Sequence, residues 1–476
     1  MTLTWDLAGA GKASLQRWMA AAPGCDVTCW WEVGSMDLLG TVEDVVTFCE
    51  NRGAEAEVSG IKTKEVIVAM ERSDIKLCIK QNTTGVGIRT LIGNSMGFAS
   101  CNSLDERITT ETAEKAVSMS RKTPPLPFCT LASPGRLPDV PGLYDPEIQN
   151  IDEEDAISIA HNMITAIRKD PRVFIDSGEL SISVREKAIS TSTGISAAEK
   201  KSRLSWLLIA IAREKDEVGS FEYEYGCTTK VKEVYAEETA RMIAEKAAAN
   251  LHPQKIESFS GDIILGPGAV VDLIVDPFVS SVNANNVYRG QSVLAQKLTE
   301  EVASDVVTIR DHAILPGDFN ASAFDREGTP HQNVTIVENG VLTQFMYDSL
   351  AANRENVSPT GNATGTVREI PMIGVTNFVV DETSRALDTI VEEADTGLLI
   401  TRYSGTAERI SGDFSGAVKG AQYIKSGEIQ HPVKEAAIAG NIFEILPRIT
   451  DVSEETLRYP KMVLPYMKIP EMQIIV

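Results

Sequence analysis

The chain has 476 residues, 43% of them hydrophobic and 24% charged, and a formal net charge of −22. That length can bury a large core and suggests two or three domains. The excess of acid argues against a generic affinity for nucleic acid, which needs a basic surface to displace counterions. Apolar runs such as Trp206 to Ala212 fall far short of the roughly 20 residues a spanning helix needs. The amino terminus lacks a cationic start followed by an apolar stretch, so it does not read as a secretory signal. Seven cysteines occur without a CxxC or a paired rhythm, and the expectation is reduced thiols in a cytoplasmic protein.

Residues 1–38 stand apart as a doubtful extension. Trp5, Trp18, Trp30 and Trp31 are four of the chain's five tryptophans, and Met36 is expected to be the true start. From 39 to 123 the pattern is that of an α/β module. Thr41-Val-Glu-Asp44 resembles a capping box, and Val42, Val45, Val46 and Cys49 follow at helical spacing until Gly53. Strand-like segments come next, at Ala56 to Ile61, Lys64 to Met70, Lys76 to Gln81 and Gly87 to Ile92. Gly93-Asn94 then turns into Met96 to Cys101, and a helix from about Thr109 to Ser120 closes the unit.

Seven of the 21 prolines crowd into 124–146, which reads as a domain connection, since such a density suits neither a helix nor a central strand. A central α/β domain over 147–256 follows. It has a helix from Glu153 to Arg168, strands around Leu180 to Val184, Ile189 to Ser192 and Leu204 to Ala212, and an alanine-rich helix from Ala236 to Asn250. The last domain, 257–476, reads as strand-rich, with helices at about 269–285, 384–393 and 434–446. Asn339-Gly340 and Ser426-Gly427 serve as hairpin turns. The fold class is therefore α+β, with a mostly antiparallel sheet in the first module.

Chemistry is sparse on this reading. Ser411-Gly412-Asp413-Phe414-Ser415 lacks the GxSxG spacing of a nucleophile turn, so its glycines suggest a tight backbone path and Asp413 a capping role. Gly85-x-Gly87 precedes no helix and fails as a phosphate cradle. The acidic start Asp152-Glu-Glu-Asp155 is explained by the helix dipole. Among the five histidines, His161, His252, His312 and His331 read as helix-surface, helix-end or loop residues, and His431 is the one to test.

Several short patterns occur in a fixed order: Gly85-Val-Gly87-Ile-Arg89, Gly97-Phe98-Ala99, Gly266-Pro267-Gly268, Thr308-Ile-Arg-Asp311, Phe324-Asp-Arg-Glu-Gly328, Ser358-Pro-Thr-Gly-Asn362, and 411–441 with its SGDFSG, Pro432-Val433 and Ala439-Gly-Asn441. Together they resemble the TldD/PmbA family over about 41–476. The resemblance implies a first domain at 39–123 and a carboxy-terminal domain at 257–476 of that family's type. It marks Ser411, Gly412, Asp413, Phe414, His431 and Asn441 as candidate cleft or signature residues. TldD-type members carry an HExxxH helix after the position of Gly268, where two histidines hold zinc and the glutamate is general base, with a further cysteine ligand nearer the carboxy terminus.

Here that helix reads AVVDLIVDPFVSSV, and no cysteine follows Cys227. Asp272 and Asp276, four apart, would make a poor zinc peptidase site. The resemblance thus implies a PmbA/TldE-type chain with no catalytic residue and no metal ligand of its own. Zinc is expected in a TldD-like, HExxxH-bearing partner, and the substrates are unstructured peptides. A non-catalytic homo-oligomeric peptide-binding or scaffold protein is the alternative, and a hydrolase built on Asp413 and His431 a more distant one. The family's older label, modulator of DNA gyrase, invites a DNA-binding reading that this acidic chain does not support.

Overall fold

Strand alternation organises the first half of the protein. The computed structural model describes residues 37–476, and the expectations placed on the tryptophan-rich start and on Met36 lie outside them. Helix α1 (Leu38–Glu50) leads into strands β1 (Glu55–Glu71), β2 (Asp74–Ile92) and β3 (Ser95–Cys101), and α2 (Glu106–Ser120) follows. The four strand-like segments expected over 56–92 are two long strands. The expected breaks are absent and the ladder shifts register only at Ala69/Met70: Gly60 is an ordinary member opposite Val86, and Asn82, Thr83 and Thr84 pair with Lys64, Thr63 and Lys62. Helix α2 starts earlier than its apolar pattern suggested, because the Asp105 carboxylate caps it by accepting from the Ile108 N–H.

The central segment supplies α3 (Glu153–Ile167), β4 (Val173–Thr191), β5 (Ser196–Glu214), β6 (Glu217–Val218), β7 (Glu222–Thr228) and α4 (Ala236–Ala249). Strand β4 pairs with β1 from Glu57↔Thr191 to Glu71↔Ser177. The first and central segments therefore share one seven-stranded sheet, in the order β3-β2-β1-β4-β5-β6 with β7 also on β5.

The two faces of this sheet differ in chemistry. Even-numbered positions on β1, and on β4 beyond its register shift at Ile175/Ser177, face the helices. Ala56, Val58 and Ala188 pack with Val42, Val46, Ala113 and Ala116 of α1 and α2. Val66, Val68, Leu180 and Ile182 pack with Met163, Ile167 and Ile243 of α3 and α4, together with Leu204, Trp206 and Leu208 of β5. The odd-numbered face carries Glu57, Glu65, Arg185, Lys187, Glu199, Lys201 and Arg203 by the same register. The last domain docks on one end of that charged face. At the other end Ile67 is half-buried, and Leu77 and Ile79 are exposed.

The proline-rich connection forms no helix between 121 and 145, and it is built into the junction between the two halves. Its Ala132 packs with Ile189, Ile195 and Phe324, and Val140 and Leu143 pack with Ala321. The last domain adds strands β8 (Phe259–Leu265), β9 (Ile309–His312), β10 (Asn333–Glu338), β11 (Val341–Leu342), β12 (Ala363–Thr364), β13 (Met372–Ile373), β14 (Phe378–Val380), β15 (Thr396–Ala407), β16 (Asp413–Lys425), β17 (Glu428–Pro432), β18 (Ala437–Asn441), β19 (Asp451–Tyr459) and β20 (Met462–Ile474). All but the β12–β13 pair join an eleven-stranded sheet, ordered β11-β10-β9-β14-β20-β8-β15-β16-β17, with β18 on β16 and β19 on β20.

One expectation fails in this domain. Residues 434–446 are not one helix: β18 comes first, and only Ile442–Ile445 coil α-helically. The exposed ladder of β16 takes Ala437–Asn441 as a strand partner, opposite Ala417–Asp413, and this outweighs the local helical pattern.

Candidate functional site

Gly266 caps a helical segment that runs from Pro267 to Ser281. Pro267 at the first helical position suits a start there. Gly268 is required by close approach, since a Cβ at this position would lie 2.6 Å from the Thr401 carbonyl oxygen. The segment is not regular. Val271–Val275 form a π-helical turn immediately before Asp276-Pro277, where the proline has no N–H to donate back along the helix. Ala269, Val270, Leu273, Ile274 and Phe278 are buried against the sheet, with Phe278 edge-on to Phe378 at 6.0 Å.

Both carboxylates of this segment have partners. Asp272 accepts from the Tyr403 backbone N–H at 2.9 Å and from the Tyr223 hydroxyl at 3.3 Å. Burial raises its pKa to about 6, against the pull of those hydrogen bonds and of Arg402. Asp276 is exposed and pairs with Arg409 at 2.9 Å. With one carboxylate turned to Tyr403 and the other to Arg409, the segment offers no converging donor set for zinc. Among the described residues no three of His, Cys, Asp and Glu are placed to hold a metal ion. Residues of this segment therefore do not fit a catalytic zinc.

The signature residues separate into two places. Ser411, Gly412, Asp413 and Asn441 form one corner. Asn441 Nδ2 donates to the Ser411 carbonyl and to Asp413 Oδ1, each at 2.8 Å, and Asp413 lies opposite Asn441 in the β16–β18 ladder. Asn441 Oδ1 also caps the short helix after it, accepting from the Phe443 N–H at 2.9 Å. Gly412 has φ +80°, and a Cβ there would sit 2.5 Å from the Phe443 ring, so the corner needs a glycine on both counts. The Asp413 carboxyl is held below the usual range by its hydrogen bonds from Asn441 and Ser411. Phe414, next in the strand, is buried against Tyr403 with ring centroids 6.2 Å apart.

His431 lies elsewhere. It faces Tyr423 on β16, ring centroids 5.4 Å apart, with Nδ1 3.1 Å from the Pro432 carbonyl. Tyr423 is ten residues along β16 from Asp413, which at about 3.3 Å per residue is roughly 33 Å. Asp413 and His431 do not form a joint site.

Sequence reading missed two features. Tyr223, from the central segment, reaches the last domain through Asp272; the alternating Glu222-Tyr-Glu-Tyr225 was the available signal. The junction itself rests on a buried ionic group. Arg89 donates to Glu57 and, at 2.9 Å, to Glu327, while Arg326 reaches the other oxygen of Glu57 at 3.1 Å. Arg89 and the Arg326-Glu327 pair both belong to the ordered patterns noted above. Their spatial meeting gives those patterns a structural reason.

Fold and site together define a three-part α+β protein whose sheet-bound helix after Gly266 carries neither histidine nor cysteine. Residues 56–123 match domain 1, 146–251 the central domain and 259–476 the C-terminal domain of the PmbA/TldA metallopeptidases. An uncharacterised protein of Methanocaldococcus jannaschii is 30% identical over 406 residues, spanning 85% of this chain and 92% of its own length. The Escherichia coli O157:H7 metalloprotease PmbA is 24% identical over 438 residues, 91% of this chain and 95% of its own. In fold, the chain is similar to crystalline TldE from Thermococcus kodakarensis, with a TM-score of 0.87 at 21% identity over 92% of this chain and all of that one. This chain belongs to the PmbA/TldD family of metalloproteases.

Proposed function

We propose that the chain is the zinc-less, PmbA/TldE-type subunit of a peptidase that processes unstructured peptides, and that it works beside a TldD-like, HExxxH-bearing partner in which the zinc resides. The observation that carries this reading is the Pro267–Ser281 segment. It has no histidine or cysteine, its Asp272 is engaged by Tyr403 and Tyr223, and its Asp276 is engaged by Arg409. A zinc peptidase needs three protein ligands and an open position, and a residue free to act as base. On this reading the chain's contribution is to shape and bound the peptide site, with the chemistry supplied from the partner. The cytoplasm is its expected location; no helix among the described residues is long and apolar enough to cross a membrane.

The test is co-expression with and without a TldD-like relative from the same genome, followed by zinc analysis and peptide cleavage on size-separated particles. Zinc and cleavage confined to a mixed particle are the expected result. Stoichiometric zinc with cleavage by this chain alone would overturn the proposal. A homo-oligomer that binds peptide, and is inert with every such relative, would favour the scaffold reading.

A further inference from the structure

The charged face of the seven-stranded sheet leaves two buried guanidinium N–H groups without a partner. Cross-strand register sets Arg203 of β5 beside Ser183 of β4, and Lys201 beside Arg185, so the two arginines are diagonal neighbours on one face. Arg203 Nη2 donates to Asn320 Oδ1 at 2.7 Å, and its guanidinium lies 4.8 Å from the centre of the Phe319 ring. Its Nε is buried and has no hydrogen-bond partner. The Nε of Arg185 is in the same condition. The Arg185 side chain makes no hydrogen bond or ion pair with any described residue.

Glu65 attracts Arg185 without hydrogen-bonding to it, and the other nearby carboxylates are engaged by other groups. Glu65 accepts from Ser181 Oγ at 2.7 Å and from Gln81 Nε2 at 2.9 Å. Glu199 lies between Lys187 and Lys201, at 3.7 and 3.9 Å, and accepts from the Ala323 N–H at 2.8 Å. Asp318 pairs with Arg458 and accepts from the Asn320 N–H at 2.9 Å. Burial, then repulsion from Arg185, brings the pKa of Arg203 down to about 9. Desolvation, then Arg203 and Arg185, likewise lower Lys461. Unpaired buried guanidinium N–H groups are costly, and such a group in a chain of net charge −22 calls for an anion.

The surroundings show which anion. On the side away from the last domain, the same face continues through Gln81, Glu65 and Ser181 to Ile67 and Ile79, and then to Leu77 and Leu207. These positions are half-buried or exposed, and exposed Glu179 lies between Ala69 and Leu207 among them, so an open strip of apolar side chains with Glu65 and Glu179 on it leads to the cationic end. We propose that Arg185 and Arg203 form an anion-binding niche that holds a carboxylate of a peptide lying along this open face of the sheet. The peptide as source rests on the function proposed above; the niche does not. A planar carboxylate matches the fork of a guanidinium, and the apolar strip would take the preceding side chains.

The test uses the full chain alone, titrated calorimetrically with an acetylated apolar tripeptide, with its carboxy-terminal amide, and with inorganic phosphate. The acid should bind roughly tenfold or more tighter than the amide, a preference that weakens with salt and disappears in Arg185→Gln and Arg203→Gln. Arg185→Gln should keep or raise the urea midpoint, because burial of the charge outweighs the attraction of Glu65 and the side chain has no hydrogen bond to lose; this separates loss of binding from loss of fold. Equal affinity for acid and amide would overturn the niche, and would leave the zinc-less-subunit reading to its own cleavage test. Binding of phosphate without the acid would overturn the peptide as source. So would an acid preference unchanged in Arg185→Gln, or an Arg185→Gln variant whose sole defect is weaker association with the HExxxH-bearing relative.

Discussion

Arg89→Met is the most informative single change at the junction of the two halves. The Arg89 side chain is 6% exposed, and its partners Glu57 and Glu327 are 0% and 2% exposed. Its removal leaves Glu327 with only the Ser349 N–H at 2.8 Å, and leaves Glu57 to Arg326 alone. Breaking a buried ion pair from one side costs about 3–5 kcal/mol, because the surviving charge has lost its compensation. That is a large share of the roughly 5–15 kcal/mol that holds a typical native protein together. Urea unfolding followed by far-ultraviolet circular dichroism should show the loss as a lowered midpoint. The double variant Arg89→Met/Glu327→Gln should recover on the order of 1–3 kcal/mol, since the buried charge is then gone while an amide oxygen can still accept from Ser349. An Arg89→Met protein within about 1 kcal/mol of wild type would refute the reasoning and place the group among ion pairs that solvent screens.

Three further outcomes are expected. Buried His331, whose Nδ1 lies 2.9 Å from the Ser322 carbonyl, is held to a pKa of about 3 chiefly by burial. The unfolded chain takes up this proton below about pH 6.5 and the folded chain resists, so stability is lost as pH falls from 6.5 toward 3. His331→Asn, measured by urea midpoint against pH, should flatten that limb. Asp272 acts with the opposite sign. Raised from 3.8 to about 6 by burial, it favours the folded state below pH 3.8, and that contribution is lost as pH rises through 6. In Asp272→Asn this trend should shrink by about 3 kcal/mol at most, and an unchanged pH profile would remove the assignment. Gly412→Ala, at φ +80° and 2.5 Å from Phe443, should cost about 1–3 kcal/mol in chemical denaturation, and a neutral result would mean that the corner relaxes freely.

Periodicity made the helices at 153–167 and 236–249 legible, because their apolar faces repeat at helical spacing and their ends carry Asp152 and Asn250. Ordered glycine- and acid-bearing patterns were enough to point to the family, and the missing histidines after Gly268 were plain in the letters. Other features were beyond reach. That β1 pairs with β4, joining segments more than a hundred residues apart into one sheet, follows from long-range ladder formation, which leaves no local mark. Residues 437–441 look helical by pattern and become a strand because β16 needs a partner there.

What the sequence determined by itself is local and chemical: which stretches can coil, which alternate, and which donor atoms exist to hold a metal. Tertiary structure decided where charges meet. Arg89, Glu57, Arg326 and Glu327 close on one another, Asp413 and His431 part, and the Nε groups of Arg185 and Arg203 are buried without a hydrogen-bond partner. The physical reason is that a strand's period of two assigns each residue to a face, whereas the neighbours across that face are set by pairing register and by the docking of the last domain.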